Sequence, residues 1–191
     1  MSEAADQVVI NSVRRWFENA VLGLNLCPFA AAPYKKGALR FELSQAANDE
    51  NCLIDLYLNL DRLDKDREIE SIILICQQHL IRFSDYNQFL SLADQMLVQE
   101  GWQGIYQIAS FHPDYRFADA PAEDPAHWTN RSPYPLLHLL RESSIDAAVN
   151  ACPNIGQIPE QNIEKLRSLT PEQMQAIFGA QFTMGNQRSM S

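Results

Sequence analysis

The stretch Ser71-Ile72-Ile73-Leu74-Ile75-Cys76 is short, continuously apolar and rich in β-branched isoleucine, and it lies between Asp66-Arg67-Glu68 and the polar Gln77-Gln78. A run of that length with no polar face reads as a strand buried on both sides, the kind that occupies the middle of a helix-covered sheet. On its N-terminal side, residues 50–68 carry Leu53, Leu56, Tyr57, Leu60 and Leu63 at helical spacing, although Ile54, Leu56, Leu58 and Leu60 also alternate. The length and the charged tail through Glu70 favour a helix. Before it, Ala38–Ser44 alternates apolar and polar, the pattern of a strand with one exposed face, so it belongs at an edge or in a sheet covered on one side. Beyond residue 76, a stripe through Tyr86, Phe89, Ala93, Met96 and Leu97 predicts a helix over 85–100, with Ser84 as N-cap and Gly101 as its stop. Gly104–Phe111 then reads as a third strand, cut off by Pro113.

The order from residue 38 is strand, helix, strand, helix, strand. The fold class is therefore α/β (or α+β), a small mostly parallel three-stranded sheet built from a β-α-β-α-β core. Additional N- and C-terminal helices are expected at 7–23, 133–149, 159–168 and 171–178. Ser132 and Pro133 would open the helix over 133–149, and Thr170, Pro171 and Gln173 would open the last with a capping box. Residues 1–184 are expected to form a single domain, with 185–191 a disordered tail.

The composition narrows the classes of partner. Apolar residues make up 46% and charged residues 20% of 191, ordinary globular values that exclude a disordered chain. Fifteen basic against twenty-four acidic residues give a net charge of −9, and neither half is basic. Electrostatics therefore oppose nonspecific nucleic-acid binding and docking on an anionic membrane. No apolar run approaches the roughly 18 residues of a membrane span. The first residues lack the pattern of a secretory signal, and Cys27, Cys52, Cys76 and Cys152 are widely spaced, so a reduced, cytoplasmic setting is expected. The seven glycines form no phosphate-binding loop, which argues against a nucleotide bound that way; the sequence names no cofactor.

Periodicity stops from 112 to 135; His112–Arg131 holds no periodic segment and makes a loop of about 20 residues, and loops that long in a compact domain are functional or disordered. His112 and Asp114 follow the third strand, at the sheet rim where open α/β folds bind ligands. Asn130-Arg131-Ser132 precedes the expected helix, whose N-terminus with Arg131 would suit an anion, Arg116 adding a second cation. On that helix His138 and Glu142 stand at i, i+4, the spacing of a metal pair or of an imidazole oriented by a carboxylate. Cys27, before Pro28, is either a thiol activated at a helix start or a packed turn residue. Each of these has a structural alternative: a His-Pro turn, a capped helix with a solvated arginine, an inert surface pair, a buried thiol. His79 and His127 carry less information, the latter in the part of the loop expected to be mobile.

Four blocks resemble a bacterial family catalogued as domain of unknown function 1415. They are Gly23–Ala30, Asp85–Asn87 with Phe89-Leu90, Ala109–Ala118, and Asn130–Pro135 running on through Leu136–Glu142. Where that family's pattern carries His-Pro after the second strand, this chain has Cys76-Gln77. The resemblance implies a bacterial single-domain protein and assigns no activity, substrate or cofactor. From the residues, the leading expectation is a small-molecule enzyme, a hydrolase or transferase. It would grip an anionic substrate with Arg131, Ser132, Asn130 and Arg116, and do its chemistry with His112 or His138, Asp114 or Glu142, and Cys27. The rivals are a non-catalytic binding or scaffold protein whose 112–135 loop is an interaction surface, and a metal-dependent enzyme.

Overall fold

The computed structural model describes residues 3–151, 155–179 and 182, which leaves the expected tail at 185–191 and Cys152 outside it. The chain runs α1 (Glu3–Trp16), a π-helical turn (Phe17–Leu22), α2 (Ala31–Lys35), β1 (Leu39–Ser44), α3 (Asp49–Lys65), β2 (Ser71–Cys76), α4 (Phe83–Gln99), β3 (Tyr106–Phe111), a 3-10 turn (Pro125–Thr129), β4 (Leu136–Arg141), α5 (Glu142–Ala151), a second 3-10 turn (Ile155–Gln157), α6 (Ile158–Arg167) and α7 (Pro171–Phe178). The central apolar stretch is a strand with all six residues buried, and the capping box at Thr170 and Gln173 forms as expected. The helix after β2 starts at Phe83, two residues before its expected first residue, with Arg82 as N-cap and no side-chain cap bond; Ser84 lies inside its first turn and donates to the Asp85 carboxylate.

The sheet corrects the expectation of three mostly parallel strands. It has four strands in the order β1-β2-β4-β3 and is mixed, because β4 runs antiparallel between β2 and β3. β1 is indeed an edge strand. The expected helix over 133–149 is instead β4 followed by α5. Leu136-Leu137-His138-Leu139-Leu140 is apolar on both sides, and a helix would leave half of that surface in water. Residues that precede Pro133 and Pro135 are also biased away from helical geometry. In the sheet, Leu136, Leu137 and Leu139 are fully buried, each worth about 1.5–3 kcal/mol of apolar burial.

Each face of the sheet has its own core. Ile72, Leu74, Leu137 and Leu139 pack with α3 and α4 through Leu56, Leu60, Tyr86 and Phe89. Ile73, Ile75 and Leu136 pack with α1, the π-turn, α6 and α7 through Trp16, Phe17, Leu166 and Phe178. Cys52 and Cys76 are buried in the first core as free thiols, small hydrophobes as their sequence context implies. The π-turn is defined by Gly23 N–H donating to the Glu18 carbonyl at 2.9 Å, and it ends what the sequence reads as one uniform helix.

Two polar side chains tie these layers together. The Tyr86 hydroxyl, on α4, donates to the Leu136 carbonyl (2.7 Å) and accepts from Phe111 N–H (3.0 Å). Arg141, at the end of β4, donates to the carbonyls of Ile69 (3.1 Å), Asp66 (3.0 Å) and Leu63, and to the Tyr106 hydroxyl (3.3 Å). Leu63 and Asp66 close the C-terminal turn of α3, so the guanidinium satisfies otherwise orphaned carbonyls at the negative end of that helix. Replacing Arg141 by Met strands several buried carbonyls and should lower the unfolding free energy by about 3 kcal/mol or more. Replacing Arg62, which makes a half-exposed bridge to Glu42, should cost less than about 1 kcal/mol. Urea titration of both variants checks the pair, and equal losses would contradict the assignment.

Candidate functional site

β3 and β4 are antiparallel neighbours whose last pair is Phe111 opposite Leu136. A turn of about two residues can join such ends, yet the chain spends residues 112–135 there. That surplus segment is internally bonded. His112 N–H donates to the Asn130 carbonyl (3.1 Å), and the Asn130 side-chain amide donates to the Ser110 carbonyl (3.0 Å), pinning both ends of the loop to β3. Asp124 caps the 3-10 turn by accepting from Ala126 N–H and is held by Arg167 of α6 at 2.5 and 3.0 Å. That guanidinium pulls the Asp124 carboxyl down to about 2. Trp16 Nε1 donates to the Arg131 carbonyl (2.9 Å), fixing the far end of the loop to α1.

The candidate acid–base residues do not converge. His112 is fully buried: its Nδ1 accepts from Asp114 N–H (2.9 Å), its Nε2 donates to the Leu80 carbonyl (3.1 Å), and its ring lies against Phe83 and Tyr86 of α4. Leu80 is held in the left-handed region at φ 62°, a costly backbone for leucine, and this bond helps to hold it there. His138 stands on β4 against Phe17, on the opposite face of the sheet, so the two imidazoles do not meet. Its spacing to Glu142 does not make a helical pair, because His138 is in the strand and Glu142 begins α5, its N–H donating to the Ile105 carbonyl. His138 Nε2 is buried with no hydrogen-bond partner among the described residues, and burial pushes the ring down to about 4.

Cys27 is half-buried against the second core. Burial raises its thiol above the usual range, and the N–H groups of Phe29 and Ala30 oppose the rise without reversing it. Among the described residues no hydrogen bond joins it to either imidazole. The following Pro28 and Phe29 line a depression of about 410 Å³ with Glu70 and Ser143, at the opposite end of the sheet from Asn130. The thiol therefore has neither the low pKa nor the nearby base of an activated nucleophile.

Arg131 is 9% exposed. Its guanidinium stacks over Trp128 at 4.9 Å and donates Nε–H to the Tyr115 carbonyl at 3.2 Å. Among the described residues no carboxylate forms an ion pair with it. Burial and the charge of Arg116 lower its pKa, while Asp114 acts in the opposite sense. Ser132 is not a helix cap, since its hydroxyl donates to the Tyr134 carbonyl (2.6 Å) within the turn into β4. Asn130 lines a crevice of about 330 Å³ with Phe117, Thr129 and, from α6, Ile158, Asn162 and Ile163.

His127 is the residue whose role the sequence conceals. Far from sitting in a mobile stretch, it is fully buried: its Nδ1 accepts from Phe117 N–H (3.1 Å) and its Nε2 donates to the Pro121 carbonyl (2.7 Å). The only signal for it in the sequence is the surrounding density of aromatics and prolines.

Among the described residues no three His, Cys, Asp or Glu side chains stand together as metal ligands, and no helix is long and apolar enough to cross a membrane. A family model described as "Protein of unknown function (DUF1415)" matches residues 8–176. No curated protein and no solved structure matches the chain.

His138 makes stability depend on pH in a stated direction. With the folded-state pKa near 4 and the unfolded value near 6.5, the unfolded chain takes up the proton first as pH falls, so stability is complete above about 6.5 and declines toward 4. Between pH 7 and 4.5 the wild type should lose about 2 kcal/mol more than His138→Leu. Urea unfolding at both pH values measures this, and parallel losses would show that the ring is not held neutral.

Proposed function

We propose, for a chain that belongs to the family described as protein of unknown function (DUF1415), that it binds an anionic small molecule through Arg131. The observation that carries this reading is a largely buried arginine, held by Trp128 and the Tyr115 carbonyl, without an ion pair among the described residues. Withdrawing a cation from water costs several kcal/mol. A carbonyl bond, a ring contact worth about 0.5–2 kcal/mol and the charge of Asp114 work against that cost, while Arg116 adds repulsion and the net effect still lowers the Arg131 pKa. A phosphate or carboxylate group would relieve both.

The geometry also suits such a ligand. Trp128 fixes the plane of the guanidinium and Tyr115 occupies Nε–H, which leaves the Nη donors for a two-point contact. Arg116 is exposed and supplies a second charge. Of the other expected substrate-binding residues, Asn130 contributes as a wall of the neighbouring crevice, and Ser132 holds the turn. The anion is gripped without a helix N-terminus, because the chain enters a strand at Leu136. His112 and Cys27 are left out of the chemistry, each by its own bonding or burial.

A specific observation favours a second reading, that of a non-catalytic binding protein. His112, His127, Asn130 and Ser132 all direct side-chain polar atoms to backbone groups, so the loop is a built surface with its histidines committed to holding it. Anion binding is compatible with both an enzyme and a binding protein.

Thermal unfolding in sodium phosphate, against sodium chloride of equal ionic strength, tests the proposal. Phosphate at ten times its Kd stabilises by about 1.4 kcal/mol, a rise in Tm of roughly 3–5 °C for a chain this size. Arg131→Gln should abolish the rise and Arg116→Gln reduce it. An equal rise in Arg131→Gln would refute the assignment.

A further inference from the structure

On the side of the sheet away from Trp16 and Phe178, α3 and α4 leave between them a groove of about 540 Å³. It is walled by Leu53, Ile54 and Tyr57 of α3 and by Leu92 and Met96 of α4, with Glu50 and Glu100 also lining it. Ile54 is 50% exposed and Leu92 37%. Large side chains of that kind, clustered in a groove rather than scattered, mark a contact surface. Electrostatics narrow the choice of occupant. Of the acidic residues on α3, Asp49 is paired with His79, Asp55 accepts from Ser44, Asp61 pairs with Lys65 and Asp64 accepts from Tyr106, so the charge facing the groove is that of Glu50 and Glu100. Both cations of α3 are already engaged, Arg62 with Glu42 and Lys65 with Asp61. Neither Glu50 nor Glu100 has an ion-pair partner among the described residues.

From this we infer that the α3–α4 groove docks a basic amphipathic helix from another protein, its apolar ridge seated between Ile54 and Leu92 and its lysines or arginines beside Glu50 and Glu100. Helices bind such grooves through anchors at i, i+3 or i+4, and i+7. A second copy of this chain would bring one acidic layer against another, and like charges across an interface are costly. Of the chain's own C-terminal residues, Phe178 and Phe182 pack against Trp128 on the opposite face of the sheet. The groove is independent of Arg131, so the two readings stand or fall separately.

The test uses the full chain and a fluorescein-labelled 18-residue peptide of Leu and Lys, arranged with leucines on one helical face, beside a scrambled peptide of the same composition. Fluorescence anisotropy should show the patterned peptide binding at least tenfold more tightly than the scrambled one. Ile54→Asp with Leu92→Asp should remove that preference, and Glu50→Gln with Glu100→Gln should weaken binding severalfold. Because these side chains are surface-exposed, circular dichroism should show all variants folded. Equal binding of the two peptides would reduce the effect to bulk charge and overturn the proposal. So would a wild-type chain that sediments as a dimer which Ile54→Asp and Leu92→Asp dissociate, since the occupant would then be a second copy.

Discussion

The four strands are one sheet only through the hydrogen-bond ladders of β4. β2 pairs with β1 on one side, and on the other side its backbone groups pair with β4, as do those of β3. Without β4, two strands would present unpaired polar edges in the interior, which is costly for every N–H and C=O left without water. The same strand supplies Leu137 and Leu139 to one core and Leu136 to the other. Its last residue, Arg141, closes the end of α3. Sheet, cores and helix terminus thus rest on six consecutive residues.

That arrangement explains the loop. β3 ends where β4 begins, so the intervening residues 112–135 are not needed to cover distance. They form a separate small structure above one end of the sheet, held by two buried histidines, an asparagine pinned to β3 and an aspartate clipped to α6. Its product is a single arginine fixed from three directions: the Trp128 ring, the Tyr115 carbonyl and the Trp16 indole bonded to its own backbone. Such fixing lowers the entropy a ligand contact must overcome.

Where the signal was local, the sequence was legible. The buried run at 71–76, the alternation at 38–44 and the cap at Thr170 each follow from spacing and side-chain type, and each forms. β4 was opaque because a continuous apolar run has no period, and its partners lie more than 60 residues earlier or across a long loop. A helix over 133–149 would put His138 and Glu142 on one face and an anion-binding N-terminus at Ser132; the strand Leu136–Arg141 removes both. Arg131 was visible as a cation in an acidic chain, but the rings that hold it come from distant positions. His112 and Asn130 fall where a site is expected, after β3 and before β4, yet both side chains bond to backbone groups. A long loop must satisfy its own backbone, and polar side chains within it are spent on that first.

Residues 112–135 are bonded as a fixed platform for Arg131 and not as a mobile flap. Native-state hydrogen exchange resolved by residue tests this most directly, at the amides of His112, Phe117 and Asn130, which donate to acceptors inside the loop. In a fixed loop they exchange as slowly, within about tenfold, as the amides of β4. Exchange at the rate of unstructured peptide, with β4 still protected, would contradict it.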